Sequence, residues 1–205
     1  MSVNLPNGDG GHLLPLVHHP DTPCAAVLHL AARATRTGDG QLALRFVLTG
    51  RLSDLSLPPP GPAGRATNLW QHTCFEAFIA RGGADEPAYH ELNLSPARQW
   101  DLHRFRRRRD GGPLDGQPPA PRITLRRNDT RFDLTATLDL ASLDPRLREA
   151  PLRLGLAAVV EDTRGVLSCW ALRHADGPPD FHDPASFVLR LPLACRTPPP
   201  YPLQP

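Results

Sequence analysis

The chain has 205 residues, with 23 basic and 21 acidic side chains and a formal net charge of +2. A total so close to neutrality supplies no general attraction for nucleic acid, and no stretch approaches the roughly 20 apolar residues that span a bilayer. The length suits one domain able to bury a full core. All the cations are arginine, 25 residues are proline, and the single local basic run, Arg104–Arg109, reads as a solvated loop because Asp110-Gly111-Gly112-Pro113 follows at once. Four cysteines (Cys24, Cys74, Cys169 and Cys195) are widely spaced without a C-x-x-C pair. The N-terminus lacks a basic segment followed by an apolar one. The expected setting is therefore cytoplasmic, with free thiols and no membrane partner.

In chain order, residues 1–23 read as an irregular arm rich in Gly, Pro and His. Residues 24–195 read as one domain and 196–205 as a Pro-rich tail. Cys24–Ala34 is apolar and strand-like. Gln41–Leu48 alternates, with Leu42, Leu44, Phe46 and Leu48 on one side, and Gly38-Asp39-Gly40 turns the first strand into the second. Leu57–Gly64 is too Pro-rich for regular structure. Arg106–Pro121 reads as another loop. Arg122–Arg127 and Arg131–Leu140 form a hairpin across Asn128-Asp129, and Ser142–Arg148 supplies a helical turn. Leu152–Val160, Val166–Leu172 and Ser186–Leu191 complete the strands. Roughly ten short strands without a long helix fit an all-β antiparallel sandwich or jelly roll.

Asn68–Phe105 holds the densest chemistry. In Thr73–Ala80, Phe75, Ala77 and Ile79 alternate with Cys74, Glu76 and Phe78. In Tyr89–Ser95, His90, Leu92 and Leu94 alternate with Tyr89, Glu91, Asn93 and Ser95. Gly82 and Gly83 sit in the connection, so the two strands pair as a hairpin. If the apolar sides meet the core, Glu76, Glu91, Asn93 and Tyr89 share the opposite face. That face is either an ordinary solvated one or the lining of a polar site. Trp70 and Trp170 each stand at a strand edge. Two indoles can clamp a sugar while Glu76, Glu91, Asn93 and Arg173 bond its hydroxyls. No phosphate loop, G-x-G-x-x-G, G-x-S-x-G or H-E-x-x-H motif is present.

The segments L-W-Q-H-T-C-F-E-A-F (Leu69–Phe78), Y-H-E-L-N-L-S-P (Tyr89–Pro96), Q-W-D-L-H-R-F (Gln99–Phe105) and P-D-F-H-D-P-A-S-F (Pro179–Phe187) resemble the bacterial DOMON-like proteins. These are related to the family 9 carbohydrate-binding modules and have also been grouped with a cell-wall precursor reductase. The resemblance implies a jelly-roll-like sandwich that binds a sugar or haem at its mouth. In the sugar-binding relatives two tryptophans enclose a terminal sugar, and Trp70, Glu76 and Trp170 match their places by order and context. Asn93 and Arg173 are weaker matches. The haem-binding relatives use an axial methionine with histidine or lysine. This chain has only Met1 and no lysine, which leaves a bis-histidine site drawn from His72, His90, His103, His174 or His182.

Two other readings stand beside the sugar clamp. His174, Asp180 and His182 are weak metal candidates in a donor-rich loop, although the same residues also cap turns. Glu76 with Glu91 could serve glycoside hydrolysis, but a binding fold does not by itself supply catalysis. The sequence therefore predicts a non-catalytic small-ligand-binding domain with a sugar-like ligand and no predicted cofactor. The alternatives are a haem- or metal-binding redox domain and a plain interaction module.

Overall fold

The computed structural model describes residues 12–82 and 87–193. Its strands are β1 (Leu14–Pro15), β2 (Val17–His18), β3 (Val27–Arg36), β4 (Gln41–Gly50), β5 (Gly64–Arg65), β6 (Cys74–Arg81) and β7 (Tyr89–Leu94). They continue as β8 (Gln99–Arg107), β9 (Asp110–Pro113), β10 (Arg122–Arg127), β11 (Arg131–Asp139), β12 (Leu152–Glu161), β13 (Leu167–Ala171) and β14 (Leu189–Leu191). Two helical turns, α1 (Leu140–Leu143) and α2 (Pro145–Arg148), lie between β11 and β12.

The strands make two sheets. One runs β1-β3-β4-β11-β10; the other runs β2-β13-β12-β6-β7-β8-β5, with β14 beside β12 and β9 beside β8. Neighbours are antiparallel except β5, which runs parallel to β8. This is the antiparallel β-sandwich that the alternating strands predict. Leu42, Leu44, Phe46 and Leu48 of β4 are buried, as are Phe132, Leu134, Ala136 and Leu138 of β11. They meet Phe75, Ala77 and Ile79 of β6 and Leu92 and Leu94 of β7 in one apolar core. Phe75 joins the sheets, its ring centroid 5.3 Å from Phe46 and 5.6 Å from Phe132. Each buried Leu, Ile or Phe among them contributes about 1.5–3 kcal/mol relative to exposure.

Local signals close the fold. Gly40, at φ +89, takes the turn between β3 and β4 in the left-handed region that glycine enters without strain. The Asp139 carboxylate accepts from the Ala141 and Ser142 amides to start α1. Asp144 caps α2 with Pro145 at its first position. The N-terminal arm is not wholly irregular: β1 pairs with β3 and β2 with β13, so each forms the edge of its sheet. The expected loop over Arg106–Pro121 is in part a hairpin, since β8 runs to Arg107 and β9 pairs back onto it. A Cβ on Gly111 would stand 2.0 Å from the Arg104 carbonyl oxygen, so the close backbone approach needs the glycine that reads as a breaker in the sequence. Residues 1–11, the Gly83 part of the β6–β7 turn, Cys195 and the Pro-rich tail lie outside the described residues. Among the described residues no helix is long and apolar enough to cross a membrane.

Candidate functional site

The face of the second sheet turned away from the core carries the chemistry. Strand register builds it in rows. Ala157, Glu76, Asn93 and Asp101 stand side by side across β12, β6, β7 and β8. The next row is Gly155, Phe78, Glu91 and His103. Residues opposite one another on paired strands share a face, so the polar members of β6, β7 and β8 converge. Glu76, Glu91, Asn93 and Asp101 are all buried, Glu76 with 3 % of its surface exposed.

One end of this face is apolar. Phe78, Tyr89, Phe105 and Phe187 form a second, smaller core with Phe181 against it. Phe187 stacks on Phe78 at 5.6 Å, and Tyr89 on Phe105 at 5.0 Å. Gly155 permits this: a Cβ there would come within 2.8 Å of the Phe187 ring. The segment carrying Phe181 and Phe187 is tied down by ion pairs. Arg108 and Arg109 both pair with Asp180, the latter at 2.9 Å, and Arg108 reaches Asp183 at 2.9 Å. The basic run thus includes the end of a strand and a hairpin turn, and two of its guanidiniums serve as internal ties; Arg106 and Arg107 pair with Asp110.

His182 sits where the apolar and polar ends meet. Its ring centroid lies 5.2 Å from Phe78 and 4.9 Å from Phe105. The Arg109 backbone N–H donates to the Tyr89 hydroxyl oxygen at 3.3 Å, and that hydroxyl is 2.8 Å from His182 Nδ1. With the tyrosine donating to Nδ1, the neutral imidazole keeps its proton on Nε2, which faces Glu91 Oε2 at 3.7 Å. Burial, then Arg109 nearby, lowers the His182 pKa to about 4, so the ring is neutral at physiological pH.

At the polar end, Asn93 Nδ2 donates to Glu91 Oε1 at 2.6 Å, and the Cys74 thiol to Asn93 Oδ1 at 3.4 Å. Asp101 accepts from Arg65 Nε at 2.7 Å and lies 3.0 Å from His103 Nε2. Glu76 Oε1 is buried with no hydrogen-bond partner. Burial first, and then the Glu91 charge, pushes the Glu76 carboxyl well above its usual range. Burial also raises Glu91, against the opposing hydrogen bond from Asn93. A shift in this direction favours the protonated carboxyl, which is a hydrogen-bond donor as well as an acceptor.

The two tryptophans part company. Trp70 rides on the 3-10 turn Leu69–Gln71, which packs against β6, β7 and β8, and is 48 % exposed. Trp170 is 5 % exposed and belongs to the core between the sheets. Its partner across the ladder is Ala158, itself opposite Phe75, so its ring lies on the core side and not on the Glu76 side. Its indole N–H donates to Ser168 Oγ at 3.0 Å. The expected clamp of Trp70 and Trp170 over Glu76 is therefore not formed. Arg173 is exposed on the segment after β13.

The weak metal candidates do not converge. His174 Nε2 is 2.8 Å from the Val17 carbonyl oxygen, Asp180 is held by arginines, and His182 by Tyr89. Among the described residues no group of three or more His, Cys, Asp or Glu stands in metal-holding geometry. Of the other histidines named for a bis-histidine site, His72 pairs with Glu161 at 2.9 Å, His103 with Asp101, and His90 is buried with its pKa lowered to about 4, chiefly by desolvation.

Asp101 and Arg65 carry no role in the sequence reading, and His103 enters it only as one of five histidines for a bis-histidine site. The alternation W-D-L-H-R-F in β8 is the signal that places Asp101 and His103 beside Asn93 and Glu91. Nothing local marks Arg65, which arrives through the parallel pairing of β5 with β8. A cavity of about 540 Å³ borders the Trp70 turn, with Asn68, His72, Thr73, Ser95, Gln99 and Glu161 in its wall. Thr73, Ser95 and Gln99 lie one or two residues along the chain from Cys74, Asn93 and Asp101. The volume falls in the range of small-molecule sites.

No protein-family model and no curated protein matches the chain. Solved structures do. A family 9 carbohydrate-binding module from Caldicellulosiruptor kristjanssonii in complex with cellotriose aligns over 95 % of this chain and 88 % of its own, at a TM-score of 0.56 and 11 % identity. The same organism's family 9 module in complex with glucose aligns over 93 % and 88 %, at 0.54 and 10 % identity. A candidate carbohydrate-binding protein from Bacteroides uniformis aligns over 88 % and 85 %, at 0.55 and 14 % identity. At these identities the likeness establishes the fold: the chain shares the β-sandwich of these carbohydrate-binding proteins.

Proposed function

We propose that this chain is a carbohydrate-binding domain that holds a sugar-like small molecule, without turning it over, at the polar end of the outer sheet face. The observation that carries the reading is Glu76, a buried carboxyl with an unpartnered oxygen, set in a row with Asn93 and Asp101. A native fold seldom leaves such a group without a purpose, and sugar hydroxyls both donate to and accept from acids and amides. Glu91 and Asn93 orient the ring, and the exposed indole of Trp70 serves as a single stacking platform beside the cavity. The sandwich shared with proteins solved in complex with cellotriose and glucose supports the class of ligand. Assignment to the DOMON-like group rests on the Leu69–Phe78, Tyr89–Pro96, Gln99–Phe105 and Pro179–Phe187 motifs. Titrating the protein with cellotriose and glucosamine oligomers, with tryptophan fluorescence and calorimetry as readouts, tests the reading. Saturable binding weakened in Glu76→Gln and Trp70→Ala supports it; heat-silent titrations across the panel refute it.

A further inference from the structure

Within that sugar-binding reading, we propose that the ligand of this face carries a protonated amine, so that the site selects an amino sugar over a neutral one. The inference starts from the pairing of charges. The arginines nearest the face are already engaged, Arg65 with Asp101 and Arg108 and Arg109 with Asp180, and the His103 ring is also bonded to Asp101. Glu76 and Glu91 remain, two carboxyls close enough to repel when ionised, and the ring that approaches Glu91 is a neutral imidazole. Donors for them are scarce. Asn93 gives one N–H to Glu91, the Cys74 thiol turns to Asn93, and nothing donates to Glu76 Oε1.

An ammonium supplies what is missing, since it brings a charge and three N–H donors to an acceptor-rich pair. A hydroxyl brings one donor and no charge. Phe78, Tyr89 and Phe105 stand at the apolar end of the same face, buried and stacked on Phe187 or on one another. His182 already places a polar N–H among these rings and toward Glu91 Oε2, the kind of contact a ligand amine would make. Burial disfavours the ionised form of Glu76 and an amine bound beside its unpartnered oxygen favours it, so complex formation is accompanied by release of a proton to solvent.

Calorimetry at about pH 6, where an amino-sugar amine is charged, tests this with three probes: the glucosamine trimer, its fully N-acetylated counterpart, and cellotriose. The expected result is at least tenfold tighter binding of the glucosamine trimer than of either neutral trimer, a factor of about 1.4 kcal/mol. Its heat varies with the buffer's ionisation enthalpy, as release of a proton requires, and the preference disappears in Glu76→Gln. Trp70→Ala weakens all three probes alike. Neutral trimers binding as tightly as the amine overturns the inference and leaves the sugar reading standing. A preference that survives Glu76→Gln also overturns it, because the amine is then read elsewhere. Binding of no trimer overturns the sugar reading itself, and this inference with it.

Discussion

Glu76 on β6 faces Asn93 on β7 directly across the ladder, yet Asn93 turns its amide N–H to Glu91, 2.6 Å away. The asymmetry leaves one buried carboxyl solvated by an amide and the other with an unpartnered oxygen. It also sets how the fold responds to pH. The Glu76 pKa is raised in the folded state, so above about pH 4.3, where an unfolded glutamate ionises, the folded protein holds the extra proton and stability falls as pH rises. Urea midpoints of the wild type against Glu76→Gln, taken at about pH 5 and 8, check the sign. The variant gains stability relative to wild type at the higher pH, and each unit of pKa shift amounts to about 1.4 kcal/mol.

His182 works in the opposite sense. Its folded pKa, lowered to about 4, lies below the unfolded value near 6.5. The neutral ring therefore contributes stability that is present above about pH 6.5 and lost as pH falls toward 4. Proton NMR of the imidazole is the direct check: the His182 ring titrates near pH 4. A value near 6.5 contradicts the buried, Tyr89-bonded arrangement.

The tryptophans separate experimentally as they do in the fold. Trp170→Ala opens the core and costs about 3–5 kcal/mol. Trp70→Ala removes an exposed ring and shifts stability by no more than about 0.5 kcal/mol, while the ligand-induced fluorescence change is lost. Denaturation curves beside the fluorescence titration read both effects.

Asp180 anchors the segment over the apolar end through Arg108 and Arg109. Asp180→Asn removes the charge of that tie. Hydrogen exchange of the amides around Phe181–Phe187 accelerates in the variant, and high salt moves the wild type in the same direction. Exchange on β4 and β11, in the opposite sheet, stays unchanged.

Much of the site was legible in strand alternation. Cys74, Glu76 and Phe78 against Phe75, Ala77 and Ile79 is a period of two, and so is Tyr89, Glu91 and Asn93 against His90, Leu92 and Leu94. Once each apolar set meets the core, the polar sets must share the other face. Trp170 was not legible in this way. In Val166–Leu172 both alternating sets mix apolar residues with a serine or a cysteine, so periodicity does not choose a side; the pairing of Trp170 with Ala158 does. The role of His182 was equally hidden, because it arises from a loop nearly a hundred residues along the chain from Tyr89. The β8–β9 hairpin is hidden because Gly111, which reads as a breaker, is what lets the backbones approach.

The most direct test of the central claim is amide and indole chemical-shift mapping of the full chain during titration with the glucosamine trimer and with cellotriose. The account predicts shifts concentrated on the Trp70 indole N–H, on Glu76, Glu91 and Asn93, and on the Asp101 end of β8, with the Trp170 indole N–H unmoved. Shifts centred on the Trp170 side of the sheet, or none with either probe, would contradict it.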